Sequence, residues 1–314
     1  MSSFYVADAH CDFLYYAAHQ KYRYDIRTLK DEQCMNLTRM KQGKVALQFF
    51  AAWTDMKVTA RTPLQQFLEM AAAYYKMLDD NKADFVPYSK NFQPANGKIG
   101  TILAIEDLSC MMDNITNLDI FYRLGVRSAT LTWNYKNGLA STSNDKIDHG
   151  LTELGIRTVQ RMEQLGIAVD LAHLSDKGIE KVLEITTKPV FSSHTNAREL
   201  YYSQRSLKND YIKEIASRGG VIGINFYNKQ LCNKNHAAIS DIADHICYIA
   251  KTGGINCVAL GSDFDGMPVY PDDLQHSGHF QRLSNALLIR GFSEKDVSKI
   301  MYENLSNYIS QFVK

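Results

Sequence analysis

The sequence predicts an α/β protein: one domain over residues 1–314, folded as a (β/α)8 TIM-like barrel. Three observations predict it. Eight short apolar runs recur along the 314 residues. Each is followed by a loop and a longer segment of helical period. The runs are close to continuously apolar, as parallel strands covered on both faces are. Eight such units fit the roughly 250 residues or more of this architecture. A doubly wound open sheet is the alternative reading of the same alternation.

In order, the runs are FYVADAH from Phe4, KVALQFFA from Lys44, KIGTILAIE from Lys98 and VRSATLTW from Val126. IAVDLAH from Ile167, KPVFSSH from Lys188, GVIGINFY from Gly220 and INCVALGSD from Ile255 complete the set. Each is rich in Val, Ile, Leu, Phe or Thr and bounded by Gly, Lys or polar residues. Among the helical segments, Thr62-Pro63 opens one that runs to about Asp79, with proline in the first turn. Thr152 caps a second that Gly166 stops after Leu165. Ser293 with Asp296 starts a last helix carrying Val297, Ile300 and Met301 on one face. Phe67, Met70 and the Tyr74-Tyr75 pair have the spacing of core packing.

Composition narrows the function classes. Thirty-five basic residues against 34 acidic ones leave a charge of +1. No field of the whole protein therefore draws it to nucleic acid or an anionic membrane. The six cysteines (Cys11, Cys34, Cys110, Cys232, Cys247, Cys257) show no CxxC pair, so buried reduced thiols are expected. The start, MSSFYVADAH, lacks a basic segment followed by an apolar one, and no run is long enough to span a bilayer. A cytoplasmic protein is expected.

The chemistry-bearing residues gather at the C-terminal ends of the runs. The first ends in His10-Cys11-Asp12, where residues two apart share a face, so His10 and Asp12 converge while Cys11 turns away. The third ends in Glu106, the fifth in His173, the sixth in His194 and the eighth in Asp263. Alone, each has a plain alternative: a structural histidine, a helix cap at Asp12, a lysine partner for Glu106, turn chemistry in GSDFDG. Together they put three imidazoles and three carboxylates at the end of a barrel where active sites form. That is a metal site. Imidazole and carboxylate without thiolate suit zinc, with iron, manganese or cobalt as substitutes. Six such groups exceed the needs of one catalytic zinc. They suit two metals about 3.5–4 Å apart sharing a carboxylate, with a bridging hydroxide as nucleophile.

With these residues in place, the sequence resembles the membrane dipeptidase (renal dipeptidase) family of amidohydrolase-like zinc metallopeptidases. The resemblance rests on DAHCDFL, IED at Ile105 and LTWN from Leu131. It extends through GLTELGIRTVQRMEQLGIAVDLAHLS from Gly150, KPVFSSHTNAREL from Lys188, GGVIGINF from Gly219 and GSDFDG from Gly261. It implies that His10, Asp12 and Glu106 hold one zinc, and that Glu106 bridges to a second zinc held by His173 and His194. Asp263 would be the acid/base, and Arg205 would grip the substrate's C-terminal carboxylate, a task suited to a guanidinium. It further implies a dipeptide substrate, two Zn2+ per chain and a homodimer. Two departures stand out. Well-known members have LTH where this chain has Trp133, so either Asn134, Asn137 or another group contacts the oxyanion or the substrate preference differs. Asp107-Leu108-Ser109 replaces a glycine pair after Glu106.

Other residues receive plainer readings. His276 and His279 follow the last run and are expected on a surface loop. His149 is expected outside the site, and His19, His236 and His245 need no function. Arg198 either braces His194 or lies on the surface at a helix start. Tyr201 and Tyr202 are placed near the pocket or outside it with equal reason. The competing functions are hydrolysis of another small amide, such as a lactam, an N-acyl amino acid or a cyclic imide, and a non-catalytic barrel relative.

Overall fold

The apolar runs do become strands in the structure, a computed structural model that describes residues 3–19, 24–28, 30, 32–58 and 60–314. The strands are β1 (Val6–Asp8), β2 (Val45–Trp53), β3 (Phe85–Pro87), β4 (Ile99–Glu106), β5 (Val126–Thr130), β6 (Ala168–Asp170), β7 (Ser192–Thr195), β8 (Ile222–Ile224) and β9 (Val258–Leu260). All pairings between them are parallel. Eight strands run in the order β6-β5-β4-β2-β1-β9-β8-β7. The circle closes through a parallel bridge between Asp170 and Phe191. There the amide of Leu171 donates to the carbonyl of Phe191 at 2.8 Å, and that of Phe191 to Val169 at 3.2 Å. This closure excludes the open doubly wound sheet.

One strand was not expected. β3 pairs with β4 from the side, outside the circle. It has three residues and ends in Pro87, which cannot donate to a ladder, so it suits an edge.

Local chemistry sets the helices. Thr62 and Gln65 form a reciprocal capping box at the start of the helix Pro63–Asp80. Thr152 accepts from the amide of Gly155 at the start of Glu153–Leu165, and Gly166 ends that helix at φ 81°. Ser293 and Asp296 box the helix Glu294–Ser298, which runs on through Lys299–Glu303 and Asn304–Ile309. Val297, Ile300 and Met301 are buried on it, as are Phe67, Met70 and Tyr74 on Pro63–Asp80.

Apolar contacts fall into two groups. One lies between the strands and the surrounding helices. The other fills the barrel, where Leu47, Phe49, Ile102, Phe191 and Ala259 meet Leu305, Tyr308, Ile309 and Phe312 of the C-terminal segment. On β4, Ile102 and Glu106 therefore share the inward face, since side chains alternate along a strand. β7, β8 and β9 approach closely at Gly223 and Gly261, where a Cβ would lie 1.9 Å and 1.7 Å from the backbone oxygen of Ser193. No two of the six cysteines are bonded to each other, and Cys11, Cys34, Cys110 and Cys257 are buried. Among the described residues, no helix is long and apolar enough to cross a membrane.

Candidate metal centre

Glu106 ends β4 and His194 lies in β7, while His10, Asp12, His173 and Asp263 lie in the segments just past β1, β6 and β9 rather than in the strands; together they meet in one mouth. Nε2 of His10 lies 3.3 Å from Asp12 Oδ2, 3.6 Å from Glu106 Oε2 and 3.8 Å from Asp263 Oδ1. The other oxygen of Glu106, Oε1, lies 2.8 Å from Nε2 of His173 and 3.5 Å from Nε2 of His194. Nε2 of His173 and Nε2 of His194 are 3.0 Å apart. Each carboxylate oxygen of Glu106 thus faces its own set of imidazole nitrogens. Ligand atoms of His10, Glu106 and His194 lie within 4.8 Å of one another, as do those of His10, Asp12 and Asp263.

Outer contacts set which nitrogen of each ring faces inward. His173 Nδ1 lies 3.1 Å from Asn134 Oδ1, which also accepts from Nδ2 of Asn144 at 3.1 Å. An amide oxygen can only accept, so His173 donates from Nδ1 and turns the Nε2 lone pair toward Glu106. His194 Nδ1 is held by Ser193 Oγ at 2.8 Å. His173 and Asp263 both take left-handed backbone conformations, at φ 67° and 61°. Such positions in non-glycine residues gather at functional sites.

These residues fit divalent cations. Nε2 of His10 and Oδ1 of Asp12 are buried without a hydrogen-bond partner among the described residues. The facing nitrogens of His173 and His194 have their outer nitrogens engaged, which leaves lone pairs converging on Glu106. Gly266 adds no side chain beside Asp12 and Asp263: a Cβ there would lie 2.2 Å from Asp12 Oδ2 and 2.5 Å from Asp263 Oδ1. Nitrogen and oxygen donors without thiolate are the set zinc accepts.

The charges respond to crowding. Burial opposes a proton on His10, but Glu106 and Asp12 outweigh it and hold its pKa well above the usual imidazole value. Burial, with Arg205 nearby, pushes His173 down to about 4. Burial also drives His194 well below its usual value, with His10 adding to the effect. Burial would raise Glu106, yet His10 and His173 pull it well below the carboxylate range. Asp263 is pushed up to about 8 by burial, with Asp12 and Glu106 reinforcing this against the pull of His10. Bound cations would be the largest local charges and would reverse several of these shifts.

A cavity of about 750 Å³ opens above this cluster. Arg205, half-buried on its wall, donates from Nη2 to the backbone oxygen of His194 at 3.3 Å, and its Nε has no partner among the described residues. Burial lowers its pKa to about 10. Asn225, which the sequence reading did not single out, donates from Nδ2 to Asp263 Oδ2 at 3.1 Å. Asn134 lines the same cavity. Asn137 does not take part: its amide holds Asp107 Oδ1 and the backbone oxygen of Leu131, both at 2.8 Å.

Three more buried carboxylates were missed. Asp8 accepts from the amide and hydroxyl of Ser262, each at 2.7 Å, and from Gln48 Nε2 at 2.9 Å. Asp170 accepts from the amides of Ala172 and Ser193 at 3.0 and 2.9 Å. Asp265 accepts from those of Cys34 and Met35 at 2.6 and 3.2 Å. They brace the loops that carry His10, His173, His194 and Asp263. Arg198 forks onto Asp176, at 2.8 Å from each oxygen, and does not touch His194. His276 and His279 each accept a backbone N–H at Nδ1, and Tyr202 is exposed.

A family model described as membrane dipeptidase (peptidase family M19) matches residues 1–312. An uncharacterized dipeptidase of Schizosaccharomyces pombe is 33% identical over an alignment of 260 residues that covers 76% of this chain and 62% of that protein. The match thus spans under two thirds of that relative's length. Among solved structures, a metallopeptidase from Rhodobacter sphaeroides, liganded with a phosphinate mimic of the dipeptide L-Ala-D-Ala, superposes with a TM-score of 0.92. It shares 22% identity, over 99% of this chain and all of that one, the coverage being 100%. A metallopeptidase of family M19 called dipeptidase AC gives a TM-score of 0.92 at 24% identity, over 99% of both chains.

Proposed function

Because the chain belongs to the membrane dipeptidase family, peptidase family M19, we propose that it hydrolyses the peptide bond of dipeptides at a two-zinc centre. His10, Asp12 and Glu106 would hold one ion, and Glu106, His173 and His194 the other. The observation that carries this reading is the division of Glu106, Oε2 toward His10 and Oε1 toward His173 and His194. Bound divalent ions supply Lewis-acid polarisation of the substrate carbonyl and make the attacking water more acidic.

The chain's own residues do the rest. Asp263 takes a proton from the attacking water and passes it to the leaving amine. Its Oδ1 lies 3.8 Å from Nε2 of His10, close enough to the ligand cluster to exchange a proton with water held there. Asn225, bonded to one oxygen of Asp263, leaves the other turned toward the metal ligands. Arg205 receives the free C-terminal carboxylate and so limits the substrate to one residue beyond the scissile bond. Asn134, with Oδ1 committed to His173 and Asn144, keeps Nδ2 for the substrate carbonyl.

The test is metal analysis of the purified protein with rates on a panel of dipeptides, N-acyl amino acids and lactams. Two zinc ions per chain and turnover confined to dipeptides, lost on chelation and restored by zinc, are the expected results. Preference for an N-acyl amino acid or a lactam would replace the substrate assignment. Fewer than one ion per chain under zinc-replete conditions would remove the centre itself.

A further inference from the structure

The cavity has two unlike walls. Its lining includes Tyr15, Trp53 and Trp133, which follow β1, end β2 and follow β5, and Arg205 and Lys229, which follow β7 and β8. The rings of Trp53 and Trp133 meet edge to face with centroids 4.7 Å apart, and Tyr15 packs on Trp53 at 5.1 Å. Strand register places this shelf. Trp53 is the Cα partner of Glu106 across β2 and β4, so the indole rises beside the carboxylate shared by the two histidine groups. Trp133 follows β5, on the other side of β4.

Around the closed circle, β2 and β7 are four strands apart in either direction. The loop after β7 carries Arg205, so the guanidinium and Trp53 belong to opposite sides of the mouth. A dipeptide with its carboxylate at Arg205 and its scissile carbonyl over Glu106 directs its first residue away from Arg205, toward the side that carries Trp53.

We propose that Trp53 and Trp133 form the specificity subsite for the dipeptide's N-terminal side chain, selecting large apolar and above all aromatic residues. The inference rests on the dipeptidase reading and adds the substrate class to it. Edge-to-face aromatic contact and removal of apolar surface from water both favour such a side chain over hydrogen. An acidic first side chain would lose hydration against these ring faces without gaining a partner.

The chain has two tryptophans, and both are in the shelf. Emission excited at the red edge of indole absorption therefore reports on this subsite alone. The experiment compares kcat/KM of the zinc-loaded protein for Phe-Ala, Gly-Ala, Ala-Phe and Ala-Gly, in the wild type, Trp133→Ala and Trp133→Phe. In parallel, phosphinate analogues of Phe-Ala and Gly-Ala are titrated against tryptophan emission. The wild type should prefer Phe-Ala over Gly-Ala by about tenfold or more, as expected for filling an apolar pocket. Trp133→Ala should collapse that ratio, mainly through KM, and Trp133→Phe should restore most of it. The Phe-Ala analogue should change the emission more than the Gly-Ala analogue at saturation.

A Phe-Ala to Gly-Ala ratio near one, or one that Trp133→Ala does not move, overturns the assignment while leaving dipeptide hydrolysis intact. A change in the Ala-Phe to Ala-Gly ratio instead overturns it by assigning the shelf to the second residue. If no dipeptide is turned over, the dipeptidase reading fails by itself and the titration decides the shelf. A larger emission change with the Phe-Ala analogue than with the Gly-Ala analogue upholds it; an equal, smaller or absent change removes it.

Discussion

The side-chain oxygen of Asn134 lies 3.1 Å from Nδ1 of His173. That contact fixes the tautomer that presents Nε2 to Glu106. Asn134→Leu should lower zinc affinity by about 10- to 100-fold, the usual cost of losing an outer partner of a ligating histidine. Competition with a chromophoric chelator measures it. Asn134→Asp keeps an acceptor at the same place and should retain most of the affinity. Equal losses in the two variants would show that the oxygen does not act through His173.

Asp263→Asn removes the proton carrier and leaves the five proposed ligands in place. Zinc content should stay at the wild-type level while kcat falls by about 10²- to 10⁴-fold, the range of general acid–base contributions. Near-normal turnover would end the acid/base assignment. Loss of zinc would make Asp263 a ligand.

Arg205→Ala should raise KM for dipeptides on the order of 10- to 100-fold, the worth of charge-assisted hydrogen bonds. Dipeptide amides, which lack the carboxylate, should be affected far less. A similar loss on both substrates would assign Arg205 to the architecture of the loop, where it already donates to the backbone of His194.

Zinc uptake should release protons. In the metal-free protein His10 is held well above the usual imidazole value, so at neutral pH it carries a proton that a ligand must give up. Asp263, at about 8, is also largely protonated at pH 7, and nearby cations would lower its pKa. Affinity should therefore fall as pH falls, about tenfold per pH unit for each proton displaced. Calorimetry in buffers of different ionisation heat counts those protons. Heats independent of the buffer would contradict the protonated His10.

Much of this arrangement is visible in the residue order because its causes are local. Continuous apolar runs mark buried parallel strands, and Thr62, Thr152 and Ser293 mark helix starts by their own side chains. The grouping of His10, Asp12, Glu106, His173, His194 and Asp263 followed from their shared position at run ends. What escaped depends on partners distant in the chain. Asp8 interrupts an apolar run, a signal in itself, but its donors on Ser262 are 254 residues away. Asp265 reads as turn chemistry until the amides of Cys34 and Met35 arrive. Arg198 sits near His194 in sequence yet follows the nearer carboxylate, Asp176. β3 is too short, and too close to Pro87, for a periodic pattern to show.

The seam between β6 and β7 has a mechanical consequence. The circle closes there through one bridge, Asp170 to Phe191, whereas β2 and β4 share seven register pairs. His173 and His194 stand on opposite lips of that seam, so an ion held by both would rivet the thinnest joint of the wall. Ligand bound only to the native state adds its binding free energy to stability, and here the gain would be concentrated locally. Stripping the metal should speed amide hydrogen exchange at Leu171 and Phe191 more than along β2 and β4. Uniform acceleration around the wall would mean that the ion does not serve as the rivet.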